Sequence, residues 1–281
     1  MGQVRIVTDS AAEVDPEVAE ELGIIVVPLQ VRLGDAMVVD SADMRTPAFH
    51  EATLRDQQLP QVVCPPSRAF RDVYSRLSRE ADDIVSIHTA TFPCNTYRPA
   101  NEAAATILGG ARIEVIDSTF MSAAMGAIVV EAARAAKAGA DGPEVIRRVR
   151  GTVPHTYLAF FVDSVGVLKR SGALKYSEQP LPPSGGGKPL FVMEDGVIGP
   201  QFRMRNKGTA LERLVEFVAE FLILKRLVLW HSGLVPEAKE LRELLVENLE
   251  VQGPEEHIYG PSVASLLGHK ALGVVVVEGG A

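Results

Sequence analysis

Short runs of β-branched residues alternate with helical patterns through the first half of the chain. The runs that predict strands are "VRIVT" (4–8), "IIVVPLQV" (24–31), "DIVSIH" (83–88) and "RIEVID" (112–117). The segments between them, "DPEVAEEL", "PPSRAFRDVYSRLSREA" and "NEAAATIL", have the periodicity of amphipathic helices. Strands that alternate with helices indicate a mainly parallel sheet with crossover helices. After the fourth strand, a helix-rich segment runs from about Met121 to Val149 and is interrupted near Gly139.

The second half of the chain has a different pattern. "TYLAFFVDS" predicts a strand, and Asp195-Gly196 within "PLFVMEDGVIGPQF" is typical of a hairpin turn, which introduces antiparallel pairing. The helix "GTALERLVEFVAEFLIL", the strand "RLVLWHS", the helix "PEAKELRELLVENL" and the closing segments "HIYGPSVASLLG" and "ALGVVVVEG" follow. We predict an α/β protein with two domains: residues 1–154 with a parallel sheet flanked by helices, and residues 155–281 with a mixed sheet.

Composition and charge narrow the class of protein. Of 281 residues, 47% are hydrophobic and 23% charged, as in a globular protein with a buried core. The net charge is -8 and no long basic stripe occurs, which disfavours a nucleic-acid partner. The start, "MGQVRIVTDS", has no signal-peptide pattern, and no apolar run approaches the roughly 20 residues of a membrane span. We expect a cytoplasmic protein with no integral membrane segment.

The two cysteines, Cys64 and Cys94, belong to no CxxC pair and have no histidine at metal-ligand spacing. We therefore expect neither a disulfide framework nor a metal site. Motifs of common enzymes are also missing. "PPSGGGKP" superficially resembles a phosphate-binding loop, but Lys188 is followed by proline, and neither GxSxG nor HExxH occurs. We expect no catalytic residues and no cofactor.

Small polar residues nevertheless collect where the predicted parallel strands end. Ser10 follows the first strand, His88 ends the third, and Asp117 and Ser118 end the fourth. The carboxyl ends of parallel strands meet at one edge of a sheet, where ligands bind, so these residues are candidates to line a pocket. The alternative is helix capping, which the same residue types favour, and the sequence leaves both open.

The densest polar stretch is "SIHTATFPCNTYRPA", where the third strand leads into a helix and where Thr91, Asn95 and Thr96 lie. In the second half, Lys169 and Arg170 form one small basic cluster, and Arg203 and Arg205 form another. Such charges usually form a solvated face. If they converge in space, they offer an anionic group the bidentate fork of arginine.

In their order and spacing, these segments resemble the DegV family of bacterial fatty-acid-binding proteins over nearly the whole chain. The segments that carry the resemblance are "VTDSAAEV", "IIVVPLQV", "PPSRAF", "TYRPANEAA", "VIDS", "LKRSG", "KPLFVMEDG", "RMRNKGTALERL" and "GHKALGV". The resemblance implies a protein that holds one fatty acid in an apolar tunnel between its two domains. It also implies a carrier that presents the acid to an ATP-dependent fatty acid kinase. We expect a monomer or weak homodimer, with Lys169, Arg170, Arg203 and Arg205 as candidate docking residues for the kinase.

The sequence departs from this family at the ligand head group. The resemblance places a carboxylate-binding threonine at Val62, a carboxylate-binding serine at Cys94, and a histidine at Leu266. A hydrogen bond to a charged group contributes about 1.5–3 kcal/mol, so these replacements change the expected chemistry. Three hypotheses follow: Thr91, Asn95 or Thr96 binds the carboxylate instead, the pocket prefers an uncharged head such as an alcohol, aldehyde or ester, or the carrier role has been lost.

Two alternatives from other functional classes stay open. One is an enzyme on the same scaffold, a hydrolase or kinase-like protein acting on a small phosphorylated compound with Asp9, Ser10, His88, Asp117 and Ser118. His88 within hydrogen-bond reach of both carboxylates would favour this enzyme. The other is a lipid sensor that binds an acyl chain without delivering it.

Overall fold

The computed structural model describes residues 3–56, 59–90, 94–174, 189–201, 209–249 and 253–279. The chain divides into two compact units. The first comprises residues 1–42 and 61–154, and the second comprises residues 43–60 and 155–281. Residues 43–60 therefore pack with the second unit although they precede most of the first along the chain. A division into separate domains at residue 154 stays a prediction, since compactness alone does not show that a unit folds independently.

The first unit is an α/β unit with one parallel and one antiparallel sheet. Its strands are β1 (Val4–Asp9), β2 (Ile25–Val27), β3 (Gln30–Leu33), β4 (Ala36–Val39), β5 (Gln61–Val63), β6 (Asp83–His88) and β7 (Arg112–Asp117). The parallel sheet has the spatial order β2-β1-β6-β7, which confirms the parallel sheet predicted from the alternating pattern. The smaller sheet, in the order β4-β3-β5, is antiparallel.

The prediction of one strand over residues 24–31 was wrong. Strand β2 ends at Val27, β3 begins at Gln30, and the two strands belong to different sheets. Pro28 lies between them and has no backbone N–H to donate to a neighbouring strand, so a ladder cannot continue through it. The chain turns here from the parallel sheet into the antiparallel one.

The helices of the first unit are α1 (Pro16–Leu22), α3 (Ser67–Leu77), α4 (Tyr97–Ala104), α5 (Ser122–Lys137) and α6 (Gly142–Thr152). Helix α1 begins as the sequence predicts, because Asp15 caps it and Pro16 occupies its first turn. Helices α3 and α4 pack together over a core that includes Val7, Phe70 and Ile84.

The second unit has a mixed sheet with helices, as predicted. Its strands are β8 (Thr156–Val162), β9 (Phe191–Glu194), β10 (Val197–Pro200), β11 (Leu224–His231), β12 (Glu255–Ile258) and β13 (Ala271–Glu278). The order is β10-β9-β8-β13-β11-β12, in which β11 and β12 are parallel and the other pairs antiparallel. Asp195 and Gly196 join β9 to β10 with φ of 48° and 77°, the left-handed values that a tight hairpin requires.

The helices of the second unit are α2 (Pro47–Arg55), α7 (Val165–Ser171), α8 (Ala210–Ala219), α9 (Glu237–Leu249) and α10 (Pro261–Leu267). Helices α8 and α9 pack against each other, and their apolar faces share a core with the sheet that includes Leu214, Leu229 and Leu241. None of the helices in the described part of the chain combines the length and apolarity that a membrane crossing requires.

Candidate functional site

The parallel sheet of the first unit reverses its strand order between β1 and β6. Strand β2 lies on one side of β1, and the chain then crosses to β6 and β7 on the other side. In open α/β sheets, ligands bind outside the carboxyl ends of the strands at such a switch point. Ser10 directly follows β1, and His88 ends β6, opposite Asp117 of β7 in the strand register. The structure therefore brings the predicted pocket-lining residues to one sheet edge.

His88 at this edge belongs to a chain of four buried polar side chains. Its Nδ1 lies 2.6 Å from Oδ2 of Asp9, and its Nε2 lies 2.7 Å from Oγ of Ser86. The Tyr74 hydroxyl donates to the same Ser86 oxygen at 2.7 Å. One arrangement of protons satisfies every contact: Nδ1–H donates to the Asp9 carboxylate, and the Ser86 hydroxyl donates to Nε2. We call these four residues the buried polar chain.

The buried polar chain is closed to solvent. Asp9, His88, Ser86 and Tyr74 are each 0% exposed, and the Phe70 ring packs against the imidazole with its centroid 5.0 Å away. Burial raises the pKa of the Tyr74 phenol above its ordinary value of 10.0, and this effect outweighs the opposing hydrogen bond to Ser86. Tyr74 therefore stays neutral and serves as a hydrogen-bond donor.

Ser86 and Tyr74 are members of this chain that were not predicted from the sequence. Ser86 carried a signal, because residues two apart on a strand face the same side of the sheet, so Ser86 shares a face with His88. Tyr74 carried none, since it lies on helix α3 and its position relative to β6 depends on packing.

The two carboxylates at the edge have separate tasks. Oδ1 of Asp9 accepts the backbone N–H of Ala11 and caps the turn that follows β1. Oδ1 of Asp117 accepts the backbone N–H groups of Ala90 and Thr119, at 3.0 and 2.9 Å. The two ring nitrogens of His88 contact Asp9 and Ser86, so the arrangement that would favour an enzyme, with His88 bonded to both carboxylates, is not the observed one.

The hydroxyl groups at the edge also have partners. Oγ of Ser10 donates to Oδ2 of Asp40 at 2.8 Å and accepts the backbone N–H of Leu29 at 3.0 Å. Oγ of Ser118 bonds to the backbone N–H and carbonyl of Phe120. The turn-forming interpretation therefore describes Ser118, whereas Ser10 joins segments that are distant along the chain.

Next to Ser10, two predicted head-group positions lie in one apolar cluster. Ala11, Leu29 and Cys94 form this cluster, and Val62 packs against it. We call these four residues the apolar edge cluster. Val62 reaches it because β5 pairs with β3, where Val62 lies opposite Val31. The structure thus brings positions 62 and 94 together, as a common role at one head group would require.

The expectation that the chain forms no disulfide was wrong, because a disulfide joins Cys64 and Cys94, with their Cα atoms 5.8 Å apart. The two residues are 30 positions apart in the sequence, so their spacing gave no sign of the bond. Cys64 follows β5, which pairs with β3 in the small sheet, and Cys94 precedes α4. Tertiary structure therefore brings the two cysteines together. Cys94 therefore offers no S–H group to a ligand in this state.

The remaining predicted residues have varied surroundings. Asn95 is exposed, and its Oδ1 accepts the backbone N–H of Arg98 at 2.9 Å in the first turn of α4. Thr96 is buried, and its hydroxyl lies 3.5 Å from the backbone N of Thr89. Leu266 is buried within α10 of the second unit. Thr91, Arg203 and Arg205 lie outside the described residues.

Lys169 and Arg170 are exposed in the last turn of α7, where positive charge is favoured by the helix dipole. The described ranges contain no group of three His, Cys, Asp or Glu side chains arranged to hold a metal ion. The roles of these residues at a ligand head group or a docking surface stay predictions.

A model of the family described as "Uncharacterised protein, DegV family" matches residues 3–279 of this chain. The chain belongs to the DegV family. A DegV domain-containing protein of Halalkalibacterium halodurans is 29% identical over 287 aligned residues, which cover 98% of each chain. The resemblance inferred from the order of the motifs is therefore confirmed.

Solved structures of DegV proteins have the same fold. One, described as showing fatty acid binding of a DegV family protein from Thermus thermophilus, is 25% identical, with a TM-score of 0.82, and the match covers 98% of this chain and 99% of that one. DegV of Bacillus subtilis, described as a fatty acid binding protein, is 24% identical with a TM-score of 0.84, over 99% and 100% of the two chains. The Bacillus structure supports the fold assignment alone.

Proposed function

We propose that this DegV-family protein binds a fatty acid or a related acyl lipid and holds it without chemical change. The observation that carries the proposal is the composition of the sheet edge at the strand-order switch. The side chains of Asp9, Ser10 and His88 at this edge form hydrogen bonds with other protein groups. Val62 and Cys94 contribute apolar surface next to Ser10. The similar Thermus thermophilus protein, described as fatty-acid binding, supports the same class of ligand.

An acyl chain has enough apolar surface to dominate the affinity. Each buried methylene contributes about 0.8 kcal/mol, so a chain of about fourteen contributes roughly 11 kcal/mol before the cost of association. The carboxylate is the difficult part, because a buried charge needs hydrogen-bond partners. We propose Thr91, Asn95 or Thr96 as a partner, since positions 62, 94 and 266 have no hydroxyl or imidazole. An acyl lipid with an uncharged head group is the second candidate ligand, because Cys94 is in a disulfide and has no S–H group to donate to a carboxylate.

A catalytic role is less well supported than binding. Asp9, His88 and Ser86 have the contacts of a charge-relay triad, but Ser86 is 0% exposed and accepts a hydrogen bond from Tyr74. A nucleophile must reach its substrate, and this hydroxyl is closed to solvent. We therefore assign the buried polar chain to stability and propose a binding protein without catalysis of its own.

We further propose that the protein presents its ligand to a fatty acid kinase. Exposed Lys169 and Arg170 on α7 would dock on an acidic surface of the kinase, together with Arg203 and Arg205. The kinase assay uses acyl-loaded protein, ATP and the purified kinase. The double variant Lys169→Glu with Arg170→Glu should lower the initial rate of phosphorylation at least about tenfold. The variant Lys239→Glu, at an exposed position of α9, should leave this rate unchanged. Ligand binding without any kinase activity would favour a lipid sensor instead.

The ligand itself is tested by extraction from purified protein and mass spectrometry. We expect a bound acyl lipid, and displacement of a fluorescent fatty acid at micromolar concentration. Val62→Thr should improve fatty-acid affinity about tenfold or more, because it places a hydroxyl where the family resemblance requires one. Val39→Thr, the same change at an exposed position of β4, is the matched control. If no acyl lipid is extracted and none binds, the proposal should be abandoned.

A further inference from the structure

The disulfide between Cys64 and Cys94 joins two segments that contain proposed head-group residues, Val62 in one and Cys94 in the other. Cys64 directly follows β5, and Cys94 lies three residues before the start of α4. Cys64 is exposed, whereas Cys94 is only 6% exposed and belongs to the apolar edge cluster with Leu29 and Val62. Cys64 is thus the exposed member of the pair, and Cys94 is the member that packs in the apolar edge cluster.

The main core of the first unit does not include Cys64 or Cys94. Small proteins use disulfides when they cannot build a sufficient core, but this unit has a continuous core that includes Val7, Phe70 and Ile84, each 0% exposed. Strand β5 is also held by its ladder to β3. Exposed disulfides that are not needed as staples belong to the labile, regulatory class.

We propose that Cys64 and Cys94 form a reversible redox site that determines which acyl head group the protein accepts. The inference rests on the proposed function. In the bonded state, neither sulfur carries a hydrogen, so position 94 adds only apolar surface at the edge. In the reduced state, the Cys94 thiol is a donor, and a carboxylate is a better acceptor for it than an alcohol.

The chemistry requires a dithiol reductant. A thiolate of the dithiol attacks Sγ of exposed Cys64, the Cys64–Cys94 bond breaks, and Cys94 leaves as a thiolate that takes up a proton. The second thiol of the reductant then attacks the mixed disulfide and releases Cys64. The net change is one protein disulfide and one dithiol converted to two protein thiols and one cyclic disulfide, and any disulfide oxidant reverses it.

The affinity for a fatty acid should increase on reduction. We expect the Kd for hexadecanoic acid to fall about three- to tenfold, as for the gain of one weak hydrogen bond to a charged group. The Kd for hexadecan-1-ol should change by less than about twofold, because its hydroxyl carries no charge. The oxidised protein therefore prefers the uncharged lipid more strongly than the reduced protein does.

The experiment uses the full-length protein equilibrated with graded dithiothreitol. Alkylation and intact mass measure the two thiols, circular dichroism confirms that the fold persists, and displacement of a fluorescent fatty acid gives Kd for both lipids. The variant Cys64→Ala keeps the Cys94 thiol and cannot form the bond. Its affinity for hexadecanoic acid should equal that of the reduced protein and should not respond to dithiothreitol. The variant Cys94→Ser should bind hexadecanoic acid at least as tightly as the reduced wild-type protein does.

Each failure has a distinct signature. Equal acid affinity in the oxidised and reduced protein would overturn the redox inference and leave acyl binding intact. Release of the thiols only when the protein unfolds would overturn it too, as would a response of Cys64→Ala to dithiothreitol. If neither lipid binds in any redox state, the proposed function fails, and the redox inference fails with it.

Discussion

Replacing His88 with leucine tests whether the buried polar chain is a structural element. Leucine has similar bulk but no polar atoms, so it removes the partner of the Asp9 carboxylate at 2.6 Å and of Ser86 at 2.7 Å. Asp9 would keep one hydrogen bond, from the backbone N–H of Ala11. Its charge would stay buried without a compensating partner, because the residue is 0% exposed.

The expected cost is large. Removing the donor of a buried carboxylate leaves that charge unsatisfied, which costs more than the about 1–3 kcal/mol of unfolding free energy that a neutral buried group costs. Tyr74→Phe should cost only about 0.5–1.5 kcal/mol, since it removes one neutral hydrogen bond at the far end of the chain. His155→Leu is the matched control, because His155 is partly exposed and contacts Glu278 at 3.4 Å, and it should change stability by less than about 0.5 kcal/mol.

Urea unfolding followed by far-ultraviolet circular dichroism measures these differences, with equal m-values as the check that the unfolded states are comparable. The order His88→Leu, then Tyr74→Phe, then His155→Leu follows from burial and charge. A cost below about 1 kcal/mol for His88→Leu, or one no larger than that of Tyr74→Phe, would refute the argument. In that case the Asp9 charge would have found other compensation.

Three further predictions concern pH and close packing. Burial raises the pKa of Tyr74, so its contribution to stability is fully present below pH 10.0 and is lost above it, where the unfolded chain ionises first. The difference in unfolding free energy between wild type and Tyr74→Phe should therefore shrink in alkaline urea unfolding. Burial lowers the pKa of His231 below 6.5, and its neutral Nδ1 accepts the N–H of Gly233. The contribution of His231 to stability is therefore present above pH 6.5 and is lost as the pH falls, because the unfolded chain binds the proton first. His231→Asn should therefore reduce the acid-induced fall in Tm, and an unchanged fall would contradict this. In α5, Gly126→Ala should cost about 1–3 kcal/mol in urea, since its Cβ would lie 2.5 Å from the Ala12 carbonyl oxygen; a neutral effect would show that the helix shifts freely.

Periodicity identified the elements whose local pattern was unambiguous. β1, β6 and β7 match the predicted runs closely, and the turn at Asp195-Gly196 joins β9 and β10 as expected. The small antiparallel sheet was missed because its strands span only three or four residues each. Runs of that length carry too few alternations to separate them from loops.

The candidate site was predictable as a region and not as a set of contacts. Parallel strands place their carboxyl ends at one edge, so the sequence could bring Ser10, His88 and Asp117 to a common place. It could not assign the partners of His88. Tyr74 comes from a helix whose rotation and depth are set by packing, and Asp9 is 79 residues away along the chain.

The sequence by itself determined the α/β class, the parallel pairing in the first unit and the family, because these depend on hydrophobic period and on the order of local motifs. Tertiary structure alone decided that Cys64 and Cys94 are bonded and that Val62 packs with Cys94. Both facts require two segments distant in sequence to meet. The physical reason is that a side chain's chemistry depends on its neighbours in space. Cys94 is a weak hydrogen-bond donor as a free thiol and no donor when it is bonded to Cys64.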